Sequence, residues 1–245
     1  MNFYYLTDIG KKRKTNQDTV AGNIISEDLA WSIVCDGMGG NNGGDIASSM
    51  ATRGISELIN RNLDILNNSQ ETKNFMKYCI DCANYAIYSE SQQNEQLSGM
   101  GTTIVFVIRN KNQVHIAHAG DSRAYILSQE NNNIYRATTD HSIVQELLDK
   151  GEITEQEARN HARKNIITRA LGVNSEIKFD YNLLNIDSKS IILSCTDGLT
   201  NYLEDHEIYN IYKKNIDNLE KLPKILIDEA NNLGGHDNIT VSVII

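Results

Sequence analysis

Aspartate residues recur beside the apolar segments of this sequence, where carboxylates could gather around cations. Three β-type segments are followed by an aspartate, one aspartate precedes the last such segment, and a fifth lies just before Thr19 and Val20. The five are Asp36, Asp121, Asp197, Asp237 and Asp18. Taken singly, an aspartate at such a position is typical of a turn, because its side chain bonds the local backbone. Taken together, they predict a shared site if the strand ends meet at one edge of a sheet.

Carboxylates that converge in this way repel one another unless protons or cations separate them. Two unit charges ~4 Å apart cost about 4 kcal/mol even at an effective dielectric constant of 20. Oxygen ligands without thiolate or imidazole favour hard ions such as Mg²⁺ or Mn²⁺ over zinc. Two such ions ~3.5–4 Å apart, bridged by a carboxylate, turn bound water into hydroxide and hold a phosphoryl group for in-line attack. The aspartates therefore indicate a two-metal centre that acts on phosphate.

Glycines follow one of these carboxylates closely and agree with a metal site. The run Asp36-Gly37-Met38-Gly39-Gly40 and the pair Gly43-Gly44 precede a helical pattern. A glycine after a ligand aspartate allows a backbone carbonyl to approach the metal. A loop that cradles a dinucleotide is disfavoured, because neither G-x-G-x-x-G nor a Walker lysine is present. A cysteine nucleophile is disfavoured too, because the sequence has no Cys-x5-Arg loop.

The histidines and cysteines are interpreted as structural. His115 and His118 lie at an odd separation on a predicted strand, so their side chains would point to opposite faces. Cys79-x-x-Cys82 lies in a helical pattern without a second pair, whereas a zinc site needs about four ligands. His236 is expected to be a neutral neighbour of Asp237 rather than a ligand.

The composition narrows the class of protein. The 245 residues carry 23 Lys and Arg against 32 Asp and Glu, a net charge of −9, which argues against a nucleic-acid-binding face. No apolar run approaches the ~20 residues of a membrane helix, and the four cysteines do not make a disulfide scaffold. The amino terminus is apolar first and basic second, the reverse of a secretory signal. We expect a cytoplasmic monomer without nucleic-acid or membrane partners, folded as a single domain over residues 1–245.

Short β-type segments and longer helical segments share the chain. Strands are predicted where β-branched and aromatic residues cluster, at 4–8, 29–35, 102–108, 114–119, 123–127, 190–195 and 239–245. Helices are predicted at 45–62, around 75–87, and twice near the carboxyl terminus. Two more are predicted between 140 and 166, where Ser142 with Gln145 and Thr154 with Glu157 have capping-box spacing. Strands joined by brief turns favour antiparallel pairing, so the predicted fold class is α+β.

Six motifs in a fixed order resemble the metal-dependent protein serine/threonine phosphatases of type 2C. They are Arg13-x-x-Asn16-Gln17-Asp18, Asp36-Gly37-Met38-Gly39-Gly40, Gly101-Thr102-Thr103, Gly120-Asp121-Ser122-Arg123, Thr196-Asp197-Gly198-Leu199 and Asp237-Asn238. The likeness runs from about residue 8 to residue 240, and residues 140–142 and 165–172 are similar to the short bacterial branch. The resemblance implies a four-layer sandwich of two central antiparallel β-sheets flanked by helices, with the metal site at one edge.

The resemblance also implies a metal shell. Asp36 would bridge two Mn²⁺ or Mg²⁺ ions, and the carbonyl of Gly37 would bind one of them. Asp197 and Asp237 would complete the shell of the other ion. Asp121 would hold a third, weaker ion together with Asp197, and Asp18 would contact the cluster through water.

Residues around the metals have implied roles as well. Arg13 would bind the substrate phosphate with its guanidinium group, a geometry that suits arginine better than lysine. Asn238 would support the geometry of Asp237. Residues 142–172 would form a flap beside the site, in which Ala162 stands where relatives commonly have proline. We call residues 142–172 the flap segment.

The source of the proton for the leaving group is open. Met38 and Asn41 occupy positions that are often histidine in relatives. Neither side chain can donate a proton near pH 7. The sequence therefore assigns no general acid.

The leading hypothesis is an enzyme that hydrolyses phosphoserine and phosphothreonine in proteins. A hydroxide bridging two divalent ions would attack the phosphate directly, and the phosphoproteins would be those made by a bacterial serine/threonine kinase. An alternative, suggested by Asn41, is a catalytically weak phosphopeptide-binding regulatory module on the same fold. The complete set of carboxylates argues against this alternative. A metal-stabilised structural protein ranks last because it gives Arg13 no role.

Overall fold

Two antiparallel sheets carry the strands of the described chain. The computed structural model describes residues 1–39 and 43–245. One sheet contains, in spatial order, β1 (Phe3–Asp8), β11 (Ile239–Ile244), β10 (Ile191–Cys195), β7 (Arg123–Ser128) and β8 (Asn133–Arg136). The other contains β2 (Asp18–Ile24), β3 (Leu29–Met38), β5 (Ile104–Asn110), β6 (Gln113–Ala119) and β9 (Asp180–Asn185), with the short β4 (Gly101–Thr102) paired to the end of β3. We call them the β1 sheet and the β2 sheet.

Helices cover the outer face of each sheet. The β2 sheet packs against α1 (Gly44–Arg61) and α2 (Ser69–Gln93). The β1 sheet packs against α5 (Asp197–Thr200), α6 (Asp205–Lys214) and α7 (Leu222–Leu233). Short 3₁₀ turns at Leu63–Asn67, Glu95–Leu97 and Ile216–Lys221 connect the elements. None of the helices in residues 1–39 and 43–245 combines the length and apolar character needed to cross a membrane.

Alternating side chains divide the interior into three cores. On β5, Ile104, Phe106 and Ile108 face the helices, whereas Val105 and Val107 face the β1 sheet. Successive side chains of a strand point to opposite faces, so a strand buried on both faces is apolar throughout. The order of layers is therefore helices, β2 sheet, β1 sheet, helices. This confirms the predicted α+β fold and its four-layer sandwich.

Most of the predicted elements are present, and the differences are local. Strands β2, β8 and β9 were not predicted, and each is the edge strand of a sheet. The predicted strand at 102–108 is two strands, because Thr103 interrupts it between β4 and β5. At this point Thr103 donates its backbone N–H to the carbonyl of Asp36 at 2.9 Å, where β3 changes partner.

The flap segment contains two short helices, α3 (Ile143–Asp149) and α4 (Glu155–Arg159), as predicted. The capping box predicted at Thr154 and Glu157 forms, with both bonds present. At the other site Ser142 accepts from the N–H of Gln145, but the Gln145 side chain donates to Asp149 instead of closing a box. The returning end of the segment is attached to the β2 sheet, since Leu171 and Thr102 pair as an antiparallel bridge. The flap segment therefore leaves and rejoins the sandwich near the ends of β4 and β6.

Candidate active site

The register of the β2 sheet places Asp18 opposite Asp36 at one edge of the sandwich. The two residues are antiparallel partners at the ends of β2 and β3. The Oδ2 atom of Asp18 accepts hydrogen bonds from the hydroxyls of Thr196 and Thr240, each at 2.8 Å. Both threonines belong to the β1-sheet side, so a buried carboxylate connects the two sheets at this edge.

Asp36 is held in place through its backbone. Its N–H donates to the hydroxyl of Thr103 at 2.9 Å, and its carbonyl accepts from the hydroxyl of Thr102 at 2.9 Å. With the backbone fixed in this way, the carboxyl group points toward the other acidic side chains. Burial raises its pKa well above the ordinary value, and the charges of four further aspartates raise it more, the largest contribution coming from Asp18, then Asp197.

Asp197 lies at the start of α5, directly after β10. Its Oδ2 accepts from the side-chain amide of Asn201 at 2.9 Å, whereas its Oδ1 is buried without a hydrogen-bond partner among the described residues. Burial raises the pKa of Asp197, and the charge of Asp237 raises it further. Asp121, in the turn after β6, has its pKa raised by burial and then by Asp197. Asp121, Asp197 and Asp237 therefore share one electrostatic environment with Asp36.

Asp237 forms an ion pair with Arg13, which belongs to the loop between β1 and β2. The Nη2 atom of Arg13 lies 2.8 Å from its Oδ2, and half of the Arg13 side chain (51%) is exposed. The hydrogen bond to Asp237 raises the pKa of Arg13. The backbone N–H of Asn238 donates to the Oδ1 of Asp237 at 2.8 Å.

Asn238 fixes the loop that carries Arg13. Its side-chain amide donates to the carbonyls of Ile9 and Thr15, at 2.9 and 3.0 Å, and its Oδ1 accepts from the N–H of Gln17 at 2.9 Å. The buried amide therefore positions the loop between β1 and β2, while the backbone N–H of the same residue bonds the Asp237 carboxylate. The role of Asn238 in supporting the geometry of Asp237 stays a prediction.

Gly37 is required by close packing at the end of β3. A Cβ atom on Gly37 would lie 2.0 Å from the carbonyl oxygen of Gly44 and 2.6 Å from that of Gln17. Its N–H donates to the same Gln17 carbonyl at 3.1 Å. The start of α1 thus lies directly against the strand end, and only glycine leaves room for it. Gly40, the last residue of this motif, and Asn41, whose position is often histidine in relatives, lie outside the described residues.

The donor set of this edge fits divalent cations. The Oδ1 atoms of Asp18 and Asp197 are buried and have no hydrogen-bond partner among the described residues. Unsatisfied buried carboxylate oxygens need a cation or a proton. The nearby thiol of Cys195 does not compete as a ligand, because burial raises its pKa to about 12. An all-oxygen set of this kind suits Mg²⁺ or Mn²⁺.

A second cluster of side chains that could bind a metal lies outside the edge formed by the aspartates. His118, His141 and Asp180 offer ligand atoms within 4.8 Å of one another. Sequence reasoning treated both histidines as structural or as parts of the flap region, and did not connect them with Asp180. Nothing in the spacing of these three residues indicates their contact, because they come from β6, the residue before the flap segment, and β9.

A cleft of about 880 Å³ opens beside the aspartates. It is lined on one side by Asp121 and Asp197, and on the other by flap residues that include Val144 and Arg159. Arg159 forms an ion pair with Glu204 across this cleft, at 2.9 Å. The cleft is therefore bounded by the acidic edge, the flap segment and the start of α6.

Sequence reasoning missed the two threonines that hold Asp18. Thr196 lies within a quoted motif, but its hydroxyl was given no task, and Thr240 was treated only as part of a strand. Both hydroxyls are buried and polar in strands or turns of otherwise apolar character. That contrast is the signal that could have found them.

Comparison with known proteins identifies the family. The profile of the family described as Protein phosphatase 2C matches residues 10–221. Over 244 residues the chain is 38% identical to the serine/threonine phosphatase stp of Listeria monocytogenes, covering 100% of this chain and 95% of that protein. The solved serine/threonine phosphatase of S. agalactiae is 33% identical, with a TM-score of 0.87 and coverage of 99% of this chain and 98% of that one.

A further solved structure carries metal ions. The catalytic domain of the serine/threonine protein phosphatase PstP, in complex with two manganese ions, is 28% identical. Its TM-score is 0.84, and the match covers 99% of this chain and 96% of that one. The chain described here belongs to the protein phosphatase 2C family. Its activity is that of a serine/threonine protein phosphatase.

Proposed function

We propose that the five aspartates bind two or three Mn²⁺ or Mg²⁺ ions, and that the protein hydrolyses phosphoserine and phosphothreonine in phosphoproteins at this edge. The proposal rests on the electrostatic repulsion among the carboxyl groups. The charges of Asp18, Asp121, Asp197 and Asp237 all raise the pKa of Asp36. Such a concentration of acidic groups costs free energy unless cations are bound, so it is typical of a functional site.

The residues would divide the ions between them as the family pattern implies. Asp36 and the Gly37 carbonyl would hold the first ion, and Asp36, Asp197 and Asp237 the second. Asp121 and Asp197 would hold a third, weaker ion, and Asp18 would act through water. The buried, unpartnered Oδ1 of Asp197 supports its place in the shell.

Divalent ions bound here would lower the pKa of water and neutralise charge on the phosphoryl oxygens. The protein residues orient the reactants. The exposed guanidinium of Arg13 is held near the acidic edge by Asp237 and can exchange that carboxylate for a substrate phosphate. Met38 cannot protonate the leaving group, so no side chain is assigned as general acid.

The cleft suggests where the rest of the substrate binds. It extends from Asp121 and Asp197 along the flap segment, and we infer that polypeptide next to the phosphorylated residue binds there. We infer that residues 1–245 form one catalytic domain with a flap at 142–172. The similar proteins are bacterial phosphatases, which supports phosphoproteins made by a bacterial serine/threonine kinase as the substrates.

One assay tests the proposal against a binding module without turnover. Purified protein is expected to hydrolyse an aryl phosphate and a phosphothreonine peptide with Mn²⁺, and to lose both activities in chelator. Asp197→Asn should lose them as well, whereas Asp64→Asn, at an exposed site remote in sequence from every motif, should retain them. Activity that survives chelator contradicts the metal proposal. Tight phosphopeptide binding without hydrolysis would favour the regulatory module.

A further inference from the structure

His141 forms hydrogen bonds with both backbone groups of Gly120, the residue before Asp121. Its backbone N–H donates to the carbonyl of Gly120 at 2.9 Å, and its ring Nδ1 accepts from the N–H of Gly120 at 3.2 Å. Gly120 has a φ of 107°, which side chains other than glycine rarely adopt. One histidine therefore satisfies both backbone groups of the turn that presents Asp121.

The residue before His141 holds the other side of the same turn. Asp140 accepts from the guanidinium of Arg123, with Nε–Oδ1 at 2.9 Å and Nη2–Oδ2 at 2.7 Å. Arg136 also bonds Asp140. Arg123 follows Asp121 by two positions, so consecutive residues Asp140 and His141 bracket the Asp121 turn.

Neighbouring groups fix the ring of His141. Because Nδ1 accepts a hydrogen bond, the neutral ring carries its proton on Nε2, which lies 3.3 Å from the Oδ2 of Asp180. Arg169 in turn holds Asp180, with Nη1–Oδ1 at 2.7 Å. The ring of His118 stacks on that of His141, with centroids 4.7 Å apart and planes at 10°. Burial lowers the pKa of His141, which agrees with a neutral ring.

The backbone of His141 also holds the returning end of the flap segment. Its carbonyl accepts from the N–H of Thr168 at 2.7 Å. The next residues continue this contact, since Ser142 and Ile167 form an antiparallel bridge and Ile143 donates to Ile166 at 3.0 Å. The side chain of His141 thus contacts the Asp121 turn while its backbone contacts the flap base.

His118, His141 and Asp180 are side chains that could bind a transition metal, but their geometry favours a structural role. We call the two hydrogen bonds of His141 to the backbone of Gly120 the clamp. The guanidinium of Arg169 contacts two of these side chains, with its Nη1 atom 3.0 Å from the Nε2 of His141 and 2.7 Å from the Oδ1 of Asp180, so a cationic side chain already neutralises this carboxylate. The stacked rings of His118 and His141 are nearly parallel. Lone pairs of parallel imidazoles do not converge on one tetrahedral ion.

We propose that His141 is a positioning residue that couples the base of the flap segment to Asp121 and thereby sets the affinity of the weaker, third metal ion. The inference rests on the proposed function, because it takes Asp121 as a ligand of that ion. His141 touches neither substrate nor the reacting atoms, and it acts through the backbone of Gly120.

Two substitutions of His141 distinguish the hydrogen bond between its ring and Gly120 from the packing of a side chain at this position. The amide of His141→Asn overlies the Nδ1 position and can accept from Gly120, whereas the amide of His141→Gln extends to the Nε2 position near Asp180. Mn²⁺ titration followed by the electron paramagnetic resonance signal of free Mn²⁺ gives the affinity of each ion without relying on turnover. His141→Gln is expected to weaken the binding of the third ion about 10- to 100-fold, the loss that follows when a group that orients a metal ligand is replaced. The affinities of the two tighter ions should stay within about threefold of wild type. In His141→Asn the affinities of all ions should stay within the same range.

The controls distinguish failure of the clamp from failure of the site. Asp121→Asn should lose the third ion, and His161→Asn, in the flap segment, should leave all ions unchanged. If His141→Gln fails to fold, His141→Ala, which also removes the Nδ1 acceptor of the Gly120 N–H, is expected to weaken the third ion alone, and an unchanged affinity overturns the clamp. Equal third-ion affinities in wild type and His141→Gln, or equal losses in the Asn and Gln variants, overturn it as well.

Two further outcomes would contradict the inference in different ways. Wild-type protein that binds no Mn²⁺ overturns the proposed function together with the clamp, whereas binding of only two ions overturns the clamp alone. An ion that still binds to Asp121→Asn but is lost in His118→Gln would show that His118, His141 and Asp180 form a metal site instead.

Discussion

Asp18 and Asp36 lie directly opposite each other on antiparallel strands β2 and β3. Like charges at such a pair destabilise a sheet. Two threonine hydroxyls offset part of this cost at Asp18, yet burial still raises the pKa of Asp18 to about 7. The metal-free site therefore holds protons at neutral pH that ordinary carboxyl groups would have lost.

Binding of Mn²⁺ is consequently expected to release protons. The pKa of Asp18 is raised to about 7, and burial raises the pKa values of Asp36 and Asp121 well above the ordinary value, so the metal-free folded protein is partly protonated near pH 7. Ligand carboxylates must be deprotonated, so on the order of one proton leaves per protein, and Mn²⁺ affinity falls as the pH is lowered from about 8 to about 6. Calorimetric titration in buffers of different ionisation enthalpy measures the release.

A matched pair of variants checks the source of these protons. Asp18→Asn removes one titrating carboxyl and is expected to release fewer protons than wild type, whereas the exposed Asp64→Asn should release the same number. Binding enthalpies that do not depend on the buffer would show that the carboxyls are already ionised, contrary to the expectation.

Arg13 is expected to contribute to substrate binding far more than to stability. Its side chain is 51% exposed, and its ion pair with Asp237 is of the surface type that contributes little to folding. Arg13→Ala should raise the KM for a phosphothreonine peptide about 10- to 100-fold, because a charge-assisted hydrogen bond to phosphate is lost. The free energy of unfolding should change by less than about 0.5 kcal/mol.

The control for Arg13 is its neighbour Lys12, which is exposed and has no ion pair among those found in the described residues. Lys12→Ala should leave the KM close to that of wild type at moderate ionic strength. Arg13→Lys should give an intermediate KM, since lysine keeps the charge but loses the planar fork. A KM for Arg13→Ala equal to wild type would remove Arg13 from the phosphate site.

Four of the aspartates were visible in the sequence because Asp36, Asp121, Asp197 and Asp237 lie at the ends of buried strands, which are largely apolar, as in β3 and β10. Asp18 begins the edge strand β2 and was recognised through its motif. Antiparallel pairing then brings Asp36, Asp121 and Asp197 toward one edge. The order of the motifs provided the rest of the site.

The elements that were missed have a common physical cause. Strands β2, β8 and β9 are edge strands with partly solvated faces, and their sequences mix apolar residues with Asn, Asp and Gly. Such strands are defined by their neighbours rather than by their own pattern. The contact of His141 with Asp180 depends on β9, which explains why the clamp could not be predicted from the sequence.

A pair of glycine substitutions tests the packing at the metal edge. Gly37→Ala would place a Cβ 2.0 Å from the backbone oxygen of Gly44, so the start of α1 must move away from β3. We expect a loss of about 1–3 kcal/mol in the free energy of unfolding and weaker Mn²⁺ binding. Gly54→Ala, in the middle of α1 with no atom within 4 Å of the new Cβ, should instead stabilise by about 0.5–1 kcal/mol. Similar unfolding free energies for the two variants would contradict the close packing at Gly37.

The ion pair between Arg159 and Glu204 is expected to hold the flap segment over the cleft. It joins α4 to the residue before α6 at 2.9 Å, and both side chains are about half exposed, at 50% and 44%. An exposed pair contributes less than about 1 kcal/mol, so Arg159→Ala should speed amide exchange in 155–159 by about two- to fivefold without a matching loss of global stability. Arg61→Ala breaks the exposed pair with Glu57 on α1 and serves as the matched control, with no change in flap exchange. Adding Glu204→Gln to Arg159→Ala should bring little further change, because the pair is already broken. Additive effects of the two substitutions, or exchange at wild-type rates in Arg159→Ala, would show that other contacts hold the flap segment.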